Sequence, residues 1–308
     1  MEELVKALTI GLTNGLIIAL IAIGYTLVYG ILELINFAHG DVFMLGSAFT
    51  FFATSIIVGA LGISPSSITA LLLTFLSLPI IMLLTATINA SIERAAYRPL
   101  RNAPRLAPLI SAIGMSFVLQ NVGLVLLGPS QKALEPILPK NDLVAFPDGS
   151  NWFGVDEVFV VAVTLPLLIG LRWFIGRTRQ GKAMRATAQD REASGLMGID
   201  VNRTISLTFL IAGALAGAAG MVVALYYGQT NFLFGFQFGL LSFTAAVLGG
   251  IGNLTGATLG GIVIGVIGAM SDRFLEARWT SVIVFSILIL VLIFRPTGLL
   301  SEKASERA

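Results

Sequence analysis

The sequence holds no cysteine and a single histidine, His39. That removes disulfides, thiol catalysis, Cys-ligated metals and any multi-histidine metal site. Charge is scarce as well: 12% of the 308 residues are Asp, Glu, Lys or Arg, against about 25% in a soluble domain. No carboxylate pair, Ser–His pair or metal cluster falls at membrane depth, so no metal site is expected and an intramembrane enzyme has nothing to work with. The first residues, MEELVK, are acidic where a secretory leader would be basic, so the first apolar stretch is expected to stay as a span.

What fills the space is hydrocarbon. The chain is 56% hydrophobic with 33 glycines, and its mean hydropathy is +0.90. Glycine is frequent in membrane helices because it lets backbones approach closely. These values predict an all-α integral membrane protein embedded in lipid, a single transmembrane domain over 1–308. Nothing in them points to a nucleic-acid partner.

A span needs about 20 apolar residues. About eight transmembrane helices are predicted, over 7–30, 42–61, 66–91, 107–127, 156–175, 204–227, 237–271 and 279–294. The stretch 237–271 reads as two close segments broken near Gly249–Gly256, where glycines and Asn253 suit a turn or an unwound point. Orientation follows from Lys and Arg in short loops. Loop 93–105 carries four arginines against Glu93, net +3, and loop 172–203 carries seven basic against three acidic residues, net +4. Loop 128–157 carries two lysines against five acids, net −3. The basic loops are therefore expected inside, with a coupling loop over 176–203, and an external loop over 128–155. Counting outward puts the N-terminus outside and the C-terminus in the cytoplasm, provided 237–271 crosses twice.

The polar stretch Arg185–Ile199, RATAQDREASGLMGI, interrupts this hydrocarbon. It reads as one short helix with small and apolar contacts from Ala188, Ala193, Leu196 and Met197, stopped at Gly198. A short amphipathic helix between two spans is expected to dock a separate partner on the cytoplasmic side. The nearby run GRTRQGKA, Gly176–Ala183, has the G-x-x-x-x-G-K spacing of a phosphate loop. It lacks the following Ser or Thr and the preceding strand that such a loop needs. It is read as a basic membrane-edge loop, and energy from ATP would have to come from a partner.

Ile35–Asp41, INFAHGD, concentrates Asn36, His39 and Asp41 beside a glycine. It suits a turn in which Asp41 caps the following helix, and also a cytoplasmic-side gate or a helix break lining the path. Polar residues inside spans usually face a bundle interior or a cavity. Gln120, Asn121, Gln229, Asn231, Gln237 and Asn253 are the amides expected to line a path, because amides are harder than hydroxyls to satisfy within their own helix. The deep spans are expected to lack a carboxylate relay. The run 212–220, AGALAGAAG, spaces small residues for close packing. The span 7–30 and the span 204–227 both end in Tyr-Gly and run in opposite directions, as an inverted repeat with a path at its interface would give.

Taken together, GYTLVYGILELINFAHGDVFMLGS (24–47), RATAQDREASGLMGI (185–199), AAVLGGIGNLTGATLGG (245–261) and FRPTGLL (294–300) resemble the permease subunits of branched-chain amino acid ABC importers. The match is to the shorter of the two permease types of the leucine/isoleucine/valine systems and runs over nearly the whole chain. The resemblance implies a bacterial or archaeal plasma-membrane location and a second, related permease as partner. It also implies two cytoplasmic ATPase subunits that bind the ATP, and a periplasmic or surface-tethered solute-binding protein. The subunit itself would hold no cofactor. It implies a coupling helix in the loop holding Arg185, Ala188, Asp190, Ala193, Gly195, Leu196 and Gly198. The solute stays open between branched-chain amino acids and urea or short amides. A self-sufficient secondary transporter or channel is the competing class.

Overall fold

The computed structural model describes residues 2–65, 67–101, 103–104, 106–138, 142–145, 151–295 and 297–300. Eleven helices dominate them. The first, α1 (Glu2–Leu32), ends in a corner at Glu33, whose φ of 55° is left-handed. The next, α2 (Ala38–Ser55), continues through a π-helical turn to Ala60. Then come α3 (Ile68–Ile92) and α4 (Leu106–Leu127). An outer segment holds β1 (Lys132–Ala133), β2 (Asp142–Ala145) and β3 (Asn151–Gly154). It leads to α5 (Val155–Arg177). The polar corner is α6 (Arg179–Gln189) followed by α7 (Arg191–Leu196). The last part is α8 (Val201–Tyr227), β4 (Gln229–Thr230), α9 (Phe234–Gly249), α10 (Leu254–Phe274) and α11 (Thr280–Phe294).

Eight helical segments among the described residues are long and apolar enough to cross a membrane, and α9 is a ninth, shorter one. The stretch expected as two close segments is α9 and α10, separated by Gly250 and Gly252 at φ of 105° and 98°. Of the loop expected outside, β2 and β3 form an antiparallel pair; residues 139–141 and 146–150, with Arg105 and the tail 301–308, lie outside the described residues.

Two antiparallel helix pairs form the frame. In the first, α1 lies on α10, with Gly11 and Gly15 against the Gly261–Val266 backbone. In the second, α8 lies on α3, with Gly213 and Gly217 against Ile81, Thr85 and Ala86. Small residues allow this approach where lipid supplies no hydrophobic drive between helices. The order α1–α2–α3 against α8–α9–α10 makes the two pairs counterparts: first helix on the opposite third helix, in both directions. This is the contact pattern expected of an inverted repeat.

The two remaining members, α2 and α9, begin inside the bundle. His39 packs on Gly24, eight residues before the end of α1, or about 12 Å along the helix axis. The chain therefore turns at Glu33 and runs back inward before α2 starts. On the opposite side, the Thr230 hydroxyl meets Ser47 at 2.6 Å, thirteen residues before Ala60 and so about 20 Å short of that end. The sequence places the second span at 42–61 and a turn before it. The structure instead starts α2 at Ala38 and buries Asn36, His39 and Asp41.

Candidate functional site

The starts of α2 and α9 meet back to back. Gly40 faces the Gly235 carbonyl and the Gly239 Cα, and a methyl group on Gly40 would overlap that carbonyl. Beside this crossing is a cavity of about 380 Å3, walled by α1, α2, α4 and α9. Tyr25, Phe37, Ile113, Leu240 and Phe243 give it apolar walls, and Asp41, Ser116 and Gln120 give it polar ones. Its outer rim is Phe117 on α4 and Phe236 on α9, both 60% exposed.

Asp41 sits in the first turn of α2 and is 1% exposed. It does not cap the helix, as the sequence suggests; Phe37 occupies the cap position and α2 has no side-chain cap. One carboxylate oxygen, Oδ2, accepts a hydrogen bond from Ser116 Oγ at 2.5 Å, and Ser116 accepts one from the Gln120 amide at 3.1 Å. The other oxygen, Oδ1, has no hydrogen-bond partner among the described residues. His39 is fully buried, edge-on to Tyr25 with ring centres 4.8 Å apart. Asn36 receives the Tyr97 hydroxyl at 2.9 Å and reaches Asn89, which in turn donates to the Phe209 carbonyl at 2.7 Å.

A second buried acid was read as a loop residue. Glu93 is fully buried in the π-helical turn that extends α3. It pairs with Arg101, which also reaches Asn202, and accepts from Ser206 Oγ at 2.7 Å. Burial lowers the Arg101 pKa below the usual arginine value, and the Glu93 charge works against that shift. Two acids that the sequence placed in loops or turns are therefore buried. Glu93 is neutralised by an arginine eight residues on, and Asp41 is not.

The other amides divide. Gln120 joins Asp41 through Ser116, whereas Asn121 bonds the Phe117 carbonyl of its own helix at 2.8 Å. So amides are not always harder to satisfy locally. Gln229 pairs with Ala133 in the β1–β4 ladder, and Asn231 accepts from the Leu233 amide at 2.9 Å. Gln237 is exposed on α9. Asn253 caps α10 by accepting from Gly256 N at 3.0 Å and donates to the Leu300 carbonyl at 2.6 Å. An Asn three residues before Gly at a helix start was the available signal for that role.

The polar corner is two helices, not one. Asp190 ends α6 and caps α7, accepting from the amides of Glu192 and Ala193 at 2.9 and 3.0 Å. Sequence reasoning ran a single helix through it because Ala and Arg favour helix on both sides; the Asp cap wins. Gly198, at φ 83°, closes α7, with Ile199 N donating to the Ser194 carbonyl at 3.0 Å, a Schellman stop. Ala193, Gly195, Leu196 and Met197 project outward, Leu196 and Met197 being 89% and 84% exposed. Arg185 and Ala188 lie on the exposed side of α6. Arg191, absent from the sequence candidates, turns inward. Its Nη2 and Nε donate to the Ile31 carbonyl at 2.6 and 3.2 Å, tying α7 to the end of α1. The Gly176–Ala183 run is the bend from α5 to α6, where Thr178 Oγ1 accepts from Gly181 N at 3.0 Å; no strand precedes it.

A bundle of membrane-length helices, with one of them and a shorter helix starting inside it around a cavity and an exposed polar corner between spans, is a multi-pass membrane transport protein. A family model described as branched-chain amino acid transport system / permease component matches residues 7–293, and the chain belongs to that family. It is 43% identical over 309 residues to the high-affinity branched-chain amino acid transport system permease protein BraD of Pseudomonas aeruginosa, covering 100% of this chain and 97% of the relative. It is 41% identical over 298 residues to LivH of Salmonella typhimurium, described in the same words, and 40% to LivH of Escherichia coli K12, each covering 96% of this chain and 95% of the relative. No solved structure matches the chain.

Proposed function

We propose that this chain is the membrane pathway subunit of an ATP-binding-cassette importer that moves branched-chain amino acids inward across the inner membrane. The observation that carries this reading is full-length similarity to permease proteins of such systems. The shortage of deep acids no longer argues against a self-sufficient carrier, since Asp41 and Glu93 are buried; the family does. No nucleotide chemistry is assigned to this chain. ATP binding falls to two cytoplasmic ATPase subunits, and solute delivery to a binding protein outside. A second permease would close the cavity on its open side, between α4 and α9.

The physical support for coupling is the α6–α7 corner. It offers a small apolar knob, Ala193 to Met197, on a basic end. Movement of that knob reaches the pathway through few bonds: Arg191 grips Ile31, and Ile31 precedes the turn that leads inward to Asn36, His39 and Asp41. A cleft of about 350 Å3 lies beneath this link, between Leu32, Arg101 and Thr187, and gives the corner room to move. Placing the basic loops in the cytoplasm and the N-terminus outside follows from the charge pattern.

Purification from native membrane in mild detergent, followed by mass spectrometry, tests the reading. Two ATPase subunits and a second permease are expected to accompany the chain; the chain by itself would return the weight to a self-sufficient carrier. Ala193→Arg puts a long charged group in the knob. It is expected to abolish ATPase recovery and cut uptake at least about tenfold, the size of one lost interface anchor, with the bundle still monodisperse. Wild-type uptake by that variant would end the docking assignment.

A further inference from the structure

We propose that the cavity between α2, α4 and α9 is an intramembrane binding site for an aliphatic α-amino acid, with the Asp41 carboxylate as the acceptor for its ammonium group. The inference rests on the transport reading above and gives that pathway a specific solute contact.

Asp41 carries the argument. A buried carboxylate that accepts one hydrogen bond still has lone pairs to satisfy, and leaving them bare is costly. Here Ser116 satisfies Oδ2 and the Gln120 amide lies beside the same carboxylate, while Oδ1 has no hydrogen-bond partner among the described residues and packs, closed off, against Gly235 of the cavity wall. Asp41 is the only charged residue among those lining the cavity. A cationic group entering there gains a charge-assisted hydrogen bond that none of the described residues supplies.

The rest of the cavity fits the rest of an amino acid. Tyr25, Phe37, Ile113, Leu240 and Phe243 offer an apolar, aromatic wall to an aliphatic side chain. The opposite requirement, a place for a carboxylate, is met by the start of α9. Gly235 and Phe236 line the cavity in the first turn of that 16-residue helix, which has no side-chain cap. Uncapped first-turn amides and the positive end of the helix dipole favour an anion. The volume, about 380 Å3, lies within the range of about 300–1,000 Å3 typical of small-molecule sites. A purely anionic solute meets the Asp41 charge, and a neutral amide leaves the Asp41 carboxylate without its cation. A zwitterion with an apolar side chain satisfies every wall.

The test uses the full-length chain in lipid nanodiscs and the diazirine analogue of leucine, photo-leucine. After irradiation, the label is expected on cavity residues such as Ile113 and Phe243. Excess L-leucine should displace it, and 2-hydroxy-4-methylpentanoate, which lacks the ammonium, should not. Asp41→Asn preserves size and the Ser116 contact; it is expected to lower labelling about tenfold or more, the weight of one charge-assisted hydrogen bond. The competition series needs only the wild-type chain, so it stands even if the variant folds poorly. Labelling confined to lipid-facing residues, equal displacement by the hydroxy acid, or undiminished labelling of a folded Asp41→Asn chain overturns the site. The transport reading is separated by uptake in proteoliposomes holding the whole importer. Leucine uptake that Asp41→Asn leaves unchanged discards the site and keeps the importer; cavity labelling without partner-dependent uptake keeps the site and discards the importer.

Discussion

The two interruptions that lead into α2 and α9 occupy counterpart positions, but they are held in different ways. The first, residues 33–37, is held by side chains. Tyr97 and Asn89 from the α3 segment fix Asn36, and Phe37 lies near Phe243 with ring centres 6.1 Å apart. The second, residues 228–233, is held mainly by backbone. Its strand pairs with β1, and Leu134 N donates to the Gly228 carbonyl at 2.8 Å. Among the described residues, its side-chain hydrogen bonds are the Ser47–Thr230 hydroxyl pair and the Asn231 turn. The first interruption is therefore tied to the α3–α8 frame and, through Ile31 and Arg191, to the polar corner. The second is tied to the loop on the opposite end. In an importer, this would let the ATPase side act on one helix start and the delivery side on the other.

Where the two starts touch, the difference between them vanishes, and there the largest effect is expected. Gly40→Val drives side-chain atoms into the Gly235 carbonyl and Gly239 Cα, both backbone. The cost should exceed about 4 kcal/mol, seen as loss of the monodisperse peak in size-exclusion chromatography. A stable, active Gly40→Val would mean that the two helix starts do not meet.

Tyr97→Phe probes the side-chain-held interruption. It leaves Asn36 without its phenol donor, at a cost of about 1–3 kcal/mol. The thermal midpoint in detergent should fall by roughly 5 °C. No change would show that the first interruption does not depend on that bond.

Gly228→Ala probes the backbone-held one. Nothing lies within 4 Å of an added methyl, so the penalty comes only from φ of 65°, about 1–2 kcal/mol. Its midpoint should drop by less than that of Tyr97→Phe. A larger drop would make the second interruption the more tightly held of the two and reverse the comparison.

Much of the fold could be read along the chain because lipid makes it local. Every backbone group in the hydrocarbon must be bonded within its own helix, so apolar length predicted the spans. The glycine run 212–220 announced the tight contact with α3. The break at Gly249–Gly256 and the polar corner also lie where residue type alone put them.

The site was only half legible. INFAHGD was recognisable as an interruption, open between a turn, a gate and a helix break lining the path, but the depth at which its polar residues are buried was not. A buried Asp is too costly to assume without a partner. Its surroundings come from elsewhere: the Ser116 donor lies 75 residues on and the packing glycine, Gly235, nearly two hundred. Glu93 was misread as a loop residue for the same reason, since its neutralising Arg101 counts as a loop charge until the π-helical turn folds it inward. The sequence by itself determined where hydrocarbon begins and ends, because hydropathy is a property of a segment. Only the tertiary structure decided which polar groups sit deep within it, because that depends on contacts between helices far apart in the chain.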